Sequence, residues 1–272
     1  MAHASDTNPA QKVCRVLRVL STPSPMRLAD IAEATALNKA TVLRLLETLA
    51  AEGFARRDAD GRRWTLGDEA AVLGLAMQRR DHVRDRARPW MVRLASLSGD
   101  TVLLSTPSGV ESVCVDREFG DYPIRANYLD VGSRRPLGVG GGSLALLAWL
   151  PDDEVRAVLD QVEPVLAARY PRISRTFLED AVQRARRLGH VLLLDVVVER
   201  MGGLAVPVFG VDGRPVAAIS IAALSDRLAS RLELLLPAMR QAADALSAPG
   251  AAPALARGPA RTVRRDEETT GR

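Results

Sequence analysis

Apolar residues recur at helical spacing three times near the start of the chain, and each run is closed by a stop signal. Val13, Val16, Leu17 and Leu20 mark a helix over residues 11–21, ended by the segment from Pro23 to Pro25. Leu28, Ile31 and Ala32 mark a second over residues 27–35, and Ala36 and Leu37 form a tight connection to Asn38. Asn38 is a good N-cap for a third helix, with Val42, Leu45, Leu46 and Leu49 on its inner face and Gly53 as its C-terminal glycine. Residues 54–66 then read as two extended arms around Asp60-Gly61, a strong hairpin signal. Three short helices followed at once by a hairpin predict a winged helix-turn-helix, an arrangement that binds DNA.

The pattern then changes. Residues 68–80 predict a further helix with Ala71, Leu75 and Ala76 on one side, and the charged run 79–88 reads as a linker. Beyond Pro89 strands and helices mix: a helix at 90–97, strands at 101–106 and 111–117 around Ser108-Gly109, and a strand at 122–131. Helices are expected at 144–150 and 152–160, and an amphipathic one at 174–188 ends at Gly189. Strands at 191–197, 204–209 and 215–224 precede a final helix at 226–246, with Leu228, Leu232, Leu235, Leu236 and Met239 on one face. The fold class expected is α+β, divided into a DNA-binding domain at 10–67, a helical linker at 68–88 and a second domain at 89–247. Residues 248–272 have no apolar period and are expected to be a disordered tail.

Composition narrows the class without naming a function. With 272 residues, 47% hydrophobic and 26% charged, the chain is an ordinary globular protein long enough for two domains. No run reaches the roughly 20 apolar residues of a spanning helix, and no signal peptide is visible, so no membrane is expected and the cytoplasm, at the nucleoid, is the expected location. Cys14 and Cys114 lie far apart in apolar periodic segments and are expected to be buried, reduced thiols. The net charge of +4 permits an anionic partner. Lys12 and Lys39 are the only lysines among 37 basic residues, an arginine bias that genome composition also explains.

Candidate DNA contacts follow from the third helix. With its inner face on the core, it turns Lys39, Ala40, Thr41, Leu43 and Arg44 outward from the Asn38 cap, where an arginine can contact guanine bidentately. Arg44 is the expected base reader; the alternative is a merely solvated face. On the hairpin, Arg56 and Arg57 on one arm and Arg62 and Arg63 on the other can clamp phosphates, with one of each pair facing the same side. The alternative there is a charged strand edge that resists aggregation.

These segments carry a resemblance. Residues 28–53, 128–137, 142–148 and 206–221 resemble IclR-type transcription regulators, in consistent order over residues 10–247. The resemblance implies a GAF-like effector domain, a homodimer or homotetramer, a palindromic double-stranded DNA operator, and repression or activation of a catabolic operon. It also implies an effector site at Leu137, Gly140, Gly141, Leu193, Asp195, Gly203, Ser220 and Ala222. The chain departs from the family pattern where an acidic run is replaced by Leu192-Leu193-Leu194-Asp195 and where a frequent pocket cysteine is Gly203. With fewer polar anchors, the effector expected is a carboxylic or aromatic acid rather than a small keto acid.

The run from Gly138 to Ser143 matches neither a phosphate loop nor a dinucleotide fingerprint, yet amides at the following helix N-terminus can bind a carboxylate; the alternative is a purely steric turn. An enzyme alternative rests on Gly141-Gly142-Ser143, a loose nucleophile elbow whose candidate bases His3, His82 and His190 lie far apart in sequence. The chain is therefore not expected to be an enzyme, and no cofactor or metal site is expected. A sensor acting only through protein partners is the remaining alternative.

Overall fold

The computed structural model describes residues 8–22, 24–78, 83–125 and 129–249. Two compact units divide the chain, one running to Arg86 and taking in Asp130–Ser133, the other made of Ala87–Leu129 and the chain from Arg134 onward. Pro23, His3, His82, Tyr128 and the expected tail from 250 to 272 lie outside the described residues.

In the first unit, helix α1 (Pro9–Leu20) begins behind Asn8, whose side chain accepts from the Ala10 amide at 2.9 Å. Helix α2 (Leu28–Thr35) is held at its start by Asp30, which accepts from the Arg27 amide at 3.3 Å, and it ends on Ala36 at φ 53°. Helix α3 (Lys39–Ala51) has the expected cap, since Asn38 Oδ1 accepts from the Thr41 amide at 2.8 Å. Val16, Ile31, Val42 and Leu46 are wholly buried with Trp64, and each such side chain contributes about 1.5–3 kcal/mol of transfer free energy. Strands β1 (Met26–Arg27), β2 (Ala55–Arg57) and β3 (Arg63–Leu66) form an antiparallel sheet in the order β1-β3-β2. Strand β1 was not expected; two residues are too few to show an alternation.

One expectation fails in this unit. Cys14 is exposed, because the stripe of Val13, Val16, Leu17 and Leu20 fills the core contact of α1 without it; Cys114 is buried, and neither is in a disulfide. Helix α4 (Asp68–Gln78) lies where expected, and its Ala71, Leu75 and Ala76 are all exposed, with Val72, Leu73 and Leu75 standing 53%, 56% and 61% exposed.

The second unit is a six-stranded antiparallel sheet, β4 (Thr101–Ser108), β5 (Glu111–Glu118), β6 (Arg134–Pro136), β7 (Val191–Leu194), β8 (Met201–Phe209) and β9 (Pro215–Leu224), in the order β6-β5-β4-β9-β8-β7. Around it lie α5 (Val83–Ser98), α6 (Gly141–Ala148), α7 (Asp152–Arg169), α8 (Arg175–Leu188), α9 (Ser225–Ser230) and α10 (Leu232–Leu246). Register fixes the two faces. Leu193 pairs with Gly203, Gly203 with Ala222 and Ala222 with Thr101, so these four share a face. Helix α6 lies on that face, with Gly141 against the Gly203 backbone. Gly202 points the other way, toward Leu228 of α9.

Several boundaries differ from expectation. Helix α5 starts inside the expected linker and runs through Pro89, held on either side by buried Ala87 and Met91. No strand occupies the described part of 122–131; the Gly120 and Tyr122 amides bond instead to the Asp100 and Gly99 carbonyls, and β6 takes the edge of the sheet. Helix α7 continues past 160 through Pro164, and α6 begins at Gly141 rather than 144. Strand β7 stops at Leu194, because Asp195 turns left-handed at φ 61°. The last helix breaks at Arg231, whose guanidinium donates to the carbonyls of Leu97, at 2.9 Å, and Ser98.

Candidate nucleic-acid interface and effector face

On α3 the cap and helical period leave Asn38, Lys39, Ala40 and Arg44 exposed in one turn, with Thr41 half-buried beside them. Leu43 was expected on this outer face, but it is half-buried and packs against the core like Leu45, so it is not a free contact. The carbonyl of Arg44 accepts from the Thr48 hydroxyl at 3.0 Å, which leaves the guanidinium itself exposed.

The hairpin turn is built by Asp58, whose Oδ1 accepts from the Arg62 and Arg63 amides at 3.0 Å each, with Gly61 at φ 65°. All four expected arginines are exposed, but they are not equivalent. Arg57 shares a face with buried Trp64, lies 4.4 Å over its ring and donates to the Gly61 carbonyl at 2.8 Å. It buttresses the turn. Arg56 pairs with Thr65, so it shares the opposite, outward face with Arg63. Sequence reasoning missed Arg27: β1 pairs it directly opposite Arg63, adding a third cation to that outward face. Only the register of an unforeseen strand carries this signal. Exposed side chains of one sign, aligned on a sheet face beside a capped helix, suit a polyanionic backbone.

In the second unit, the sheet brings Leu193, Gly203, Ser220 and Ala222 onto one face, with Gly140 and Gly141 at the start of the helix above them. The approach is close: a Cβ on Gly203 would lie 3.3 Å from the Gly141 nitrogen, and one on Gly142 would lie 3.2 Å from Ser220 Oγ and 3.4 Å from Ser105 Oγ. Gly140 stands at φ 95°. Leu137 is instead packed into the core beside α6. Asp195 is not brought to the face; beyond the end of β7 it accepts from the Ser225 hydroxyl at 3.0 Å. Two further hydroxyls share the face and were missed, those of buried Ser105 and Thr101, together with the apolar group Leu103, Cys114 and Ala222. Arg117, paired with Leu103, adds a cation that donates to the Leu129 carbonyl at 2.8 Å and lies 4.4 Å from the Phe119 ring.

Ser143 is buried, and its hydroxyl donates to the Pro136 carbonyl at 2.8 Å, a peptide oxygen that cannot act as a general base. His190 is buried with Nδ1 3.0 Å from the Leu188 carbonyl, and its burial pushes the imidazole below its ordinary value. Among the described residues no group of His, Cys, Asp and Glu could hold a metal ion, and no helix is long and apolar enough to cross a membrane. A cavity of about 160 Å³ at Arg169–Ile173 and Val196–Val197 includes none of the expected effector residues.

A capped recognition-type helix with a winged sheet, joined in one chain to a helix-covered antiparallel sheet, defines a DNA-binding regulator with a second α+β domain. Residues 9–59 match the IclR helix-turn-helix domain, and residues 75–248 match the bacterial transcriptional regulator IclR C-terminal domain. This chain belongs to the IclR family of transcriptional regulators. It is 31% identical over 238 residues to the HTH-type transcriptional regulator BhcR of Paracoccus denitrificans, covering 85% of this chain and 83% of that one. It is also 31% identical to the HTH-type transcriptional repressor AllR of Escherichia coli over 206 residues, 74% of each. A crystal structure of an IclR family regulator from Brucella abortus superposes with a TM-score of 0.70 at 26% identity, covering 89% of this chain and 92% of that one. A further similar fold is an IclR homolog from Microbacterium hydrocarbonoxydans complexed with 4-hydroxybenzoate, at a TM-score of 0.69 and 23% identity, covering 88% and 98%.

Proposed function

We propose that this regulator grips a palindromic operator with α3 and the wing and releases or reorients on it when a small carboxylic or aromatic acid binds the α6 face of its sheet. The observation that carries the reading is the shared exposure of Arg44 on α3 and of Arg27, Arg56 and Arg63 on one wing face, all within one unit. Asn38, Lys39, Ala40 and Thr41 complete the helix contact, with Arg62 at the turn. The functional division is a DNA-binding domain at 10–67, a helical linker at 68–88 and an effector domain at 89–247.

The effector class is supported by the α6 N-terminus over Gly203, where helix amides favour a carboxylate, and by the aromatic acid held by the Microbacterium relative. Catabolic genes are the proposed targets, and the cytoplasmic nucleoid the proposed location. The exposed apolar face of α4 suits a second copy of the chain, as a homodimer or a homotetramer built from it, which would present two α3 helices to half-sites about 34–36 Å apart or a multiple of that. Catalysis is not part of the proposal, since Ser143 commits its proton to a peptide carbonyl.

Mapping the genomic sites occupied by the protein, then titrating one such duplex with and without candidate acids, tests the reading. Salt-dependent, sequence-selective binding that an acid shifts is expected. Binding equal on random and mapped DNA would overturn it.

A further inference from the structure

The effector face holds a polar atom with nothing to bond. Thr101 is 2% exposed, and among the described residues its Oγ1 is the one buried side-chain oxygen or nitrogen without a hydrogen-bond partner. Buried hydroxyls are normally paired, because leaving one unpaired forfeits its hydration without return. Its position is as telling as its state. Thr101 opens β4, pairs with Ala222 and shares its face with Leu103, Ser220 and Gly203. Ala222 lies opposite it and Leu103 two residues along β4, in an apolar group with Cys114 against which Leu129 and Met201 pack.

The opposite end of this face is set by α6. The start of that helix sits over Gly203, on β8, and β9 lies between β8 and β4. Two strand spacings separate Gly203 from Thr101, roughly 10 Å between backbones. An acid whose carboxylate meets the α6 amides therefore reaches Thr101 across the apolar Ala222, with Leu103 beside it on the same face.

We infer that Thr101 is a second anchor for the effector, whose class is a small acid carrying another hydrogen-bonding oxygen at the end remote from its carboxylate. This rests on the reading of the α6 face as the effector site. Ser105 and Ser220 lie against the first turn of α6 and so belong to the carboxylate end, while Thr101 reads the far end. An acid lacking the far oxygen leaves Thr101 as it stands, unpaired, and loses that hydrogen bond.

The test uses the full-length protein with 4-hydroxybenzoate and benzoate, their dissociation constants measured by calorimetry in the parent, Thr101→Val, Thr101→Ser and Gly203→Ala. The parent should prefer 4-hydroxybenzoate by about tenfold. Thr101→Val should bind benzoate as before but lose the preference, and Thr101→Ser should keep it. Without ligand, Thr101→Val should melt above the parent, because a methyl replaces an unpaired hydroxyl. A lower melting temperature, a preference that survives Thr101→Val, or a parent that binds neither acid or both alike overturns the inference. Gly203→Ala places a methyl 3.3 Å from the Gly141 nitrogen and separates the two readings. If it weakens both acids while Thr101→Val changes neither, the effector face stands and the Thr101 anchor falls; if it leaves both constants unchanged, the face itself is misplaced.

Discussion

Arginine does opposite work in the two units. In the DNA-binding unit Arg27, Arg44, Arg56 and Arg63 are exposed, and Arg56 pairs only weakly with Asp68, at 3.9 Å. In the effector unit several guanidinium groups are tied down. Arg186 donates to the Ala148 and Leu150 carbonyls and to Asp152, joining the end of α6 to the start of α7 and holding the Asp152 carboxyl below its usual range. Arg227 grips buried Asp100 with two nitrogens, at 3.2 and 3.1 Å, and lies 3.7 Å over the Tyr122 ring. That hydrogen-bonded pairing raises the arginine pKa. Arg88 bridges Asp116, at 3.2 Å, and Glu118. An arginine-rich composition therefore says little by itself. What separates binding surface from scaffold is whether each guanidinium has already found an acceptor.

The largest expected effect breaks this contrast at its most buried point. Arg227→Ala should cost about 3 kcal/mol in denaturant unfolding of the effector unit, because Asp100, 2% exposed, keeps only Arg231 at 3.8 Å. A loss below 1 kcal/mol would mean that Asp100 is solvated. Next, Arg44→Ala should leave stability unchanged and weaken the cognate duplex by about 1–3 kcal/mol with little change on random DNA. Equal weakening on both would reduce Arg44 to a phosphate contact. Smaller per residue, Arg27, Arg56 and Arg63 each changed to glutamine should lower the slope of log affinity against log salt by roughly 1, whereas Arg57→Gln should lower stability and leave the slope alone. A slope change with Arg57→Gln would place it on the DNA.

The smallest effect concerns His190. Burial lowers its pKa in the folded protein, so the unfolded chain binds the proton first. Stability should be steady above the ordinary imidazole value of 6.5 and decline as pH falls below it; thermal melts of His190→Gln between pH 7.5 and 5 should show a shallower decline.

The three N-terminal helices were legible because cap, stripe and stop agree, as at Asn38, Val42 and Gly53. Surface chemistry placed by such a helix could be read residue by residue, Leu43 excepted, since a helix face has no sharp edge. The wing was legible as a hairpin, but Arg27 joins it only through β1, whose two residues carry no period. In the effector unit the resemblance named Gly203, Ser220 and Ala222, which share one sheet face, but Thr101 and Ser105 on that same face were not legible, because β4 meets them only through the strand order β4-β9-β8. Nonlocal pairing of this kind leaves no trace in one strand's own pattern. Asp195 was misplaced for the reverse reason: the valine-rich run suggested a strand through residue 197, and a left-handed residue stopped it.

As the proposed interface between copies, helix α4 would make copy number a thermodynamic variable. Val72, Leu73 and Leu75 stay more than half exposed in the single chain, so covering them with a second copy, as proposed, would couple folding of that segment to association by mass action. The concentration of dimers able to span two half-sites would then rise with the square of protein concentration when the protein is scarce. Operator occupancy would follow expression level more steeply than a single binding isotherm, giving the regulator a threshold before any effector is present.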